Sequence, residues 1–262
     1  MAAPTWSRAL VTGASSGIGE AIARQLAAAG TDLVLVARRE EALRTLADEL
    51  AQHHDVAVEV LAADLADPAE RAVVEERAAS TADPVDLLVN NAGFGSFGDF
   101  HRLDIDREQH EIGVNVLALV RLTHAALQQM VPRGKGSVMN VSSLASLQAL
   151  PRNATYSASK AFVTNFSEAL HEELRGSGVI VTAVLPGMTR TEFSGMTDVE
   201  TRLIPGFAWM NADEVAKQAL GDTARGDALC VPGLVNQVVA TVTAPVPRFI
   251  KRWVTGTVAR RL

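Results

Sequence analysis

The chain is short of cysteine. Cys230 is the only one in 262 residues, so no internal disulfide can form and a reducing compartment is expected. A lone cysteine reads first as a small buried apolar residue. Aromatic residues make up only 5%, and Tyr156 is the sole tyrosine. The six histidines (His53, His54, His101, His110, His124 and His171) show no H-E-x-x-H or cysteine-linked spacing, so no metal site is expected. No basic, small-residue-terminated leader precedes the first apolar run, which points to a cytoplasmic location. A net charge of −6 argues against nucleic acid as a partner.

Acids are missing from one end. Residues 248–262 carry Arg248, Lys251, Arg252, Arg260 and Arg261 and no acid. The rest of the chain then holds 19 basic against 30 acidic residues, a balance of −11. Just upstream, Ala228 to Pro247 has no charge at all. Pro232, Gly233, Asn236, Gln237 and repeated threonines interrupt that stretch, and its start is needed as a strand, so a membrane span is not expected. Within the tail, Phe249, Ile250, Trp253, Val254 and Val258 recur at helical spacing. The favoured reading is a helix packed on its own domain or on a neighbouring subunit. The alternative is an interfacial membrane helix.

What the chain does have is alternation. The 48% hydrophobic and 21% charged shares are those of a soluble globular protein. Apolar runs at Ala9–Val11, Leu33–Val36, Val58–Leu61, Val85–Val89, Ser137–Val141, Val179–Leu185 and Ala228–Val231 predict strands. Most lack polar alternation, as strands covered on both faces should. Between them lie helical patterns at Gly17–Ala29, Glu40–Gln52, Asp67–Ala79, Asp106–Met130, Ala154–Arg175 and Asn211–Ala224. Asp67-Pro68-Ala69-Glu70 and Asn211-Ala212-Asp213-Glu214 resemble capping boxes. The expected fold class is α/β: a doubly wound parallel sheet of about seven strands, Rossmann-like, with helices on both faces. No repeat or linker divides it, so residues 1–262 are read as one domain.

Two features carry chemistry. Tyr156 and Lys160, four apart in a helical stretch, share a face. A nearby ammonium favours the phenolate, which makes the pair a candidate acid/base device. The first strand runs into Thr12-Gly13-Ala14-Ser15-Ser16-Gly17-Ile18-Gly19, where glycines let backbone N–H groups approach a pyrophosphate at a helix start. At the end of the second strand stands Val36-Ala37-Arg38-Arg39. An acid there would bond the adenosine ribose, and none is present. Two guanidiniums suit a 2′-phosphate instead, so NADP(H) is expected over NAD(H). The competing reading is a solvated helix start, with the arginines paired to Glu40 or Glu41.

TGASSGIG, then Asn90-Asn91-Ala92-Gly93, then Tyr156 and Lys160 together resemble the short-chain dehydrogenase/reductase family, in its compact branch, over nearly the whole chain. The resemblance implies a dinucleotide site using Gly13, Ser15, Ser16, Gly17, Ile18 and Gly19. It adds Asp64 and Leu65 at the adenine, and Asn91, Ala92 and Gly93 beside the adenosine portion. It implies Ser143 as the residue that orients the substrate oxygen, with Ser142 only its neighbour, and Tyr156 as general acid. Lys160 is expected to lower the tyrosine pKa and bond the nicotinamide ribose. Asn115 is expected to bend its helix and hold a water leading to the lysine. Pro186, Gly187, Thr189 and Thr191 resemble the nicotinamide-side motif, and about 192–210 the substrate lid, with Phe193, Met196, Leu203, Ile204, Phe207, Trp209 and Met210. Phe94, Phe97, Leu144, Leu147 and Leu150 extend an apolar wall.

The function expected is NADPH-dependent reduction of an apolar ketone or 3-oxoacyl group, by a homodimer or homotetramer assembled through the helices near 106–130 and 154–175. Two other readings remain: a non-catalytic NADP(H)-binding sensor or scaffold, and a sugar-nucleotide epimerase or dehydratase. Intact Ser143, Tyr156 and Lys160 weigh against the first. The second usually needs an additional C-terminal domain, for which 262 residues leave little room.

Overall fold

A computed structural model describes residues 6–191, 206, 209–243 and 245–259. Its seven-stranded sheet is parallel throughout, and helices cover both faces. The strands are β1 (Arg8–Thr12), β2 (Asp32–Ala37), β3 (Val58–Ala62), β4 (Leu87–Asn90), β5 (Gly136–Val141), β6 (Val179–Val184) and β9 (Leu229–Cys230). Two short strands, β7 (Thr189–Arg190) and β8 (Met210–Asn211), pair separately. Across the main sheet the order is β3-β2-β1-β4-β5-β6-β9. The direction of winding reverses between β1 and β4.

The helices are α1 (Gly17–Ala28), α2 (Glu40–His53), α3 (Pro68–Ala79), α4 (Ile105–Ile112), α5 (Leu119–Arg133), α6 (Ala154–Glu173), α7 (Ala212–Arg225), α8 (Leu234–Thr243) and α9 (Arg248–Ala259). Successive strand residues feed opposite cores, which is why the strands read as unbroken apolar runs. Ala9, Val11, Leu33, Leu35 and Met139 pack against α1, α2 and α7. Leu10, Val34, Val36, Val138 and Val181 pack on the other side, against α3 and α5. Cys230 is fully buried in the first of these cores.

Several expectations need correcting. The fourth strand starts at Leu87, with Val85 buried ahead of it. The single helix expected over 106–130 is instead α4, a π-helical turn at Gly113–Ala118, and α5. An uninterrupted apolar periodicity hides that widening. At the start of α3, Asp67 accepts from the Ala69 and Glu70 amides, but Glu70 turns to the Asp64 N–H and does not complete a capping box. At the start of α7 the Asn211 N–H does donate to Glu214, at 3.3 Å. The uncharged stretch after β9 contains α8, which was not anticipated. Among the described residues no helix is long and apolar enough to cross a membrane.

Candidate active site

The candidate residues collect at the carboxyl ends of β1, β4, β5 and β6. The crevice where a parallel sheet reverses its winding is where such folds bind ligands. Gly13 and Gly17 take left-handed φ values of 65° and 61°, open to glycine at little cost. A Cβ on Gly13 would stand 2.8 Å from the Asn91 amide nitrogen, and one on Gly19 would overlap both the Gly13 carbonyl oxygen and Asn91. Asn91 closes this corner. Its Nδ2 donates to the carbonyls of Thr12 (2.9 Å) and Gly13 (3.3 Å). The Thr12 hydroxyl accepts from the Asn91 and Ala92 amides, both at 3.0 Å, and donates to the Val89 carbonyl. Thr12, not singled out from sequence, is therefore the hub joining the glycine loop to the 91–93 segment.

No side chain caps α1 at Ser16, so the first amides of that helix are left for an anion. Ile18 anchors the helix start in the core. Arg39 reaches across to Ser15, donating to its carbonyl at 3.1 Å and its hydroxyl at 3.1–3.2 Å. Glu40 pairs with Arg44. Arg38 is exposed beside Arg39. The glycine cradle and the uncapped helix start fit the pyrophosphate of a dinucleotide. Asp64 accepts from the Ala66 amide at 2.9 Å and lies 3.7 Å from His110, while Leu65 is buried with its carbonyl held by Arg71.

Ser143 and Ser142 part at the end of β5. The buried Ser142 hydroxyl bonds the Lys160 carbonyl (2.8 Å) and Thr164 (2.7 Å). Ser143 accepts from the Ala145 amide at 3.1 Å, and its side chain is hydrogen-bonded to Tyr156. The Tyr156 ring lies against Gly95, where a Cβ would stand 3.0 Å from Cδ2. Lys160, buried one turn on, donates to the Val141 carbonyl at 2.8 Å, with its Nζ 5.7 Å from the tyrosine ring centroid. A Cβ on Gly93 would meet Asn115 Oδ1 at 2.9 Å and Lys160 Nζ at 3.3 Å, so both groups converge on that glycine. Asn115 sits in the π-helical turn. Its amide donates to the Phe94 carbonyl (2.9 Å) and Ser159 (3.1 Å) and accepts from the Phe94 N–H (3.1 Å).

The electrostatics correct one expectation. Burial pushes the Tyr156 phenol up to about 12, the Ser143 hydrogen bond opposes this, and the negative charge of Glu111 adds to it. Lys160 does not pull it down here, because its ammonium runs past the ring to Val141. Burial lowers Lys160 itself to about 8, and Glu111 opposes that. At neutral pH the pair is thus a protonated phenol beside a cation.

Glu111 was missed in the sequence because acids in a helical pattern read as solvated. Here α4 is turned inside out. Glu108 and Glu111 are buried, while Ile105 and Ile112 are exposed. Glu111 Oε2 accepts from the Ser96 amide (2.8 Å) and hydroxyl (2.9 Å), and its Oε1 has no hydrogen-bond partner. Glu108 accepts from Thr155. Burial raises Glu111 from 4.5 to about 7, the Ser96 bonds lower it, Glu108 raises it and Lys160 lowers it. An acid raised by folding stabilises the protein below its unfolded pKa, and that contribution disappears as pH climbs through the folded value. The stability of Glu111→Gln relative to wild type should therefore rise between about pH 4.5 and 7, by up to roughly 3 kcal/mol. Urea unfolding at several pH values reads this; a flat difference contradicts it.

On the far wall, the Pro186 carbonyl accepts from Leu144 at 3.0 Å, and a Cβ on Gly187 would overlap Asn236. Thr189 is buried and donates to the Gly187 carbonyl at 3.2 Å. The Thr191 methyl would lie 3.0 Å from a Cβ on Gly17, so this loop covers the glycine turn. Of the expected lid, residues 192–205, 207 and 208 lie outside the described residues. On the helices expected to mediate assembly, Leu119 and Leu122 are buried, whereas Leu117 and Phe162 are exposed and Phe162 stacks on Phe166 at 5.6 Å. No cluster of His, Cys, Asp and Glu able to hold a metal is found among the described residues.

Comparison with known proteins gives the class. A family model described as short chain dehydrogenase matches residues 7–200. A short-chain dehydrogenase from Sphingobium yanoikuyae in complex with NADPH superposes with a TM-score of 0.82 and 35% identity, covering 92% of this chain and 96% of that one. A bulky-bulky ketone specific alcohol dehydrogenase from Comamonas testosteroni gives 0.79 and 30%, covering 94% and 96%. A very-long-chain 3-oxoacyl-CoA reductase from Anas platyrhynchos is 36% identical over 195 residues, 71% of this chain and 61% of the relative. The chain belongs to the short-chain dehydrogenase/reductase family of oxidoreductases.

Proposed function

We propose that the protein is an NADPH-dependent carbonyl reductase acting on bulky apolar ketones or 3-oxoacyl groups. The hydrogen bond between Ser143 and Tyr156, with the buried Lys160 ammonium on the same helix face, carries the reading. Bound nicotinamide supplies the hydride. The Ser143 hydroxyl holds the substrate oxygen, where negative charge develops. Tyr156, protonated at neutral pH, passes its proton to that oxygen as general acid. Lys160, buried one turn from Tyr156 and held by the Val141 carbonyl, would bond the nicotinamide ribose and so orient the ring. Asn115 fixes the 93–94 backbone and supports proton return through water toward Lys160. Partly buried Phe94, Phe97, Leu144, Leu147 and Leu150 supply apolar wall. The ketone and 3-oxoacyl specificities of the relatives agree with that wall.

A panel of ketones offered with NADPH and NADH in parallel tests this. Activity confined to charged sugars would sink it. Arg38 should decide the cofactor, since the exposed guanidinium is free to take a 2′-phosphate by charge-assisted bonds of roughly 1.5–3 kcal/mol. Arg38→Ala should lower kcat/KM for NADPH about 10- to 100-fold and leave NADH nearly unchanged. An equal loss with both cofactors contradicts that assignment.

A further inference from the structure

The C-terminal helix α9 wears its apolar side outward. Phe249, Ile250, Trp253 and Val254 fall one turn apart on one face, and all four are exposed, Phe249 by 64% and Trp253 by 69%. The side turned toward the protein holds Lys251, which donates to the Leu147 carbonyl at 3.4 Å, and Thr255, both only partly exposed. Of the two forms of the favoured reading, packing of the apolar face on its own domain is not what the helix shows: that face points away. Before it, α8 repeats the pattern without any charge, leaving Leu234 79%, Val238 61% and Val242 64% exposed. No acid occurs after Asp227, while Arg248 and Arg252 flank the α9 face and Arg260 and Arg261 follow in sequence.

We propose that α8 and α9 form an interfacial anchor that seats the protein on an anionic lipid surface. Apolar residues with tryptophan on one face and cations beside them are the composition that settles at the headgroup level. Charge chooses the occupant. The rest of the chain is at −11, and on its own it would be repelled by such a surface, so the acid-free terminus supplies the attraction. A second copy fits less well. An isologous contact over this face would bring the Arg248 and Arg252 cations of both copies into one interface with no acid to pair them. A separate, uncharged apolar groove lined by Ile112, Val116, Ala158 and Phe162 is available for copy-to-copy contact. Because Lys251 ties α9 to Leu147, just past Ser143, docking would bring the substrate end of the crevice toward the bilayer.

Co-sedimentation with vesicles of one-third phosphatidylglycerol in phosphatidylcholine, against pure phosphatidylcholine, tests the anchor, with sedimentation velocity run in parallel. The wild type should partition at least tenfold more onto the anionic vesicles. The pairs Arg248→Glu/Arg252→Glu and Phe249→Ala/Trp253→Ala should each lose at least tenfold of that binding. Both pairs lie on exposed positions, and they should keep the wild-type sedimentation coefficient and NADPH affinity. No preference for anionic vesicles overturns the proposal. So does a change in oligomer size in either pair without vesicle binding, which would assign the face to a second copy.

Discussion

Tyr156→Phe should lower kcat for ketone reduction by roughly 10²–10⁴-fold, the range for losing one positioned acid. NADPH affinity should stay within about twofold, a change worth well under 1.4 kcal/mol. The substitution removes one oxygen and keeps the ring that lies against Gly95, so the α6 packing is retained. It also breaks the hydrogen bond to Ser143, leaving that hydroxyl to its Ala145 amide contact. Raising the wild-type pH toward 8 should not by itself remove the acid, because burial holds the phenol near 12. The Lys160 ammonium, lowered to about 8, titrates first, so activity should decline on the alkaline side through lysine. Steady-state rates and fluorescence titration with NADPH separate the two effects. A phenylalanine variant that turns over within a few-fold of wild type would remove Tyr156 from the chemistry. An unaltered NADPH affinity in a wild type inert toward every ketone would revive the sensor reading.

Gly19→Ala should weaken NADPH binding about 10- to 100-fold. The φ of Gly19 is not left-handed, so the effect isolates crowding from backbone preference. The new methyl would overlap the Gly13 carbonyl oxygen and the Asn91 amide, groups that hold the cradle closed. Overpacking of this kind costs about 1–3 kcal/mol, which the loop can meet only by shifting. At 1.4 kcal/mol per factor of ten, that shift sets the expected loss. Gly30→Ala is the control: its φ of 79° is left-handed and nothing lies within 4 Å of the added Cβ, so it should lose stability without losing affinity. Isothermal titration with NADPH reads both. Equal affinities in the two variants would mean that the glycine turn does not hold the cofactor.

Much of this was legible in the chain. The runs of valine and leucine marked strands covered on both faces, and Gly13, Asn91, Ser143 and Tyr156 stood in the order that resembles the short-chain dehydrogenase/reductase family. The structure brings those residues to neighbouring strand ends. What stayed hidden shares a physical cause: local pattern assumes that apolar residues point inward. In α4 the acids are inside and the isoleucines outside, so Glu111 looked like surface. In α9 the apolar face is also outward, away from its own core. The π-helical turn leaves the hydrophobic period intact, and only Asn115, expected to bend its helix, pointed to it. Thr12 carried no assigned role, because that role depends on Val89, Asn91 and Ala92, far away in sequence.

The most direct test of the chemistry is isotopic. Wild-type protein is incubated with NADPH deuterated at the transferring C4 position and a bulky apolar ketone, and the product is examined by mass spectrometry and NMR. One deuterium on the carbinol carbon of the alcohol is the predicted result. Alcohol without deuterium at that carbon, or no alcohol from any ketone tried, would contradict it.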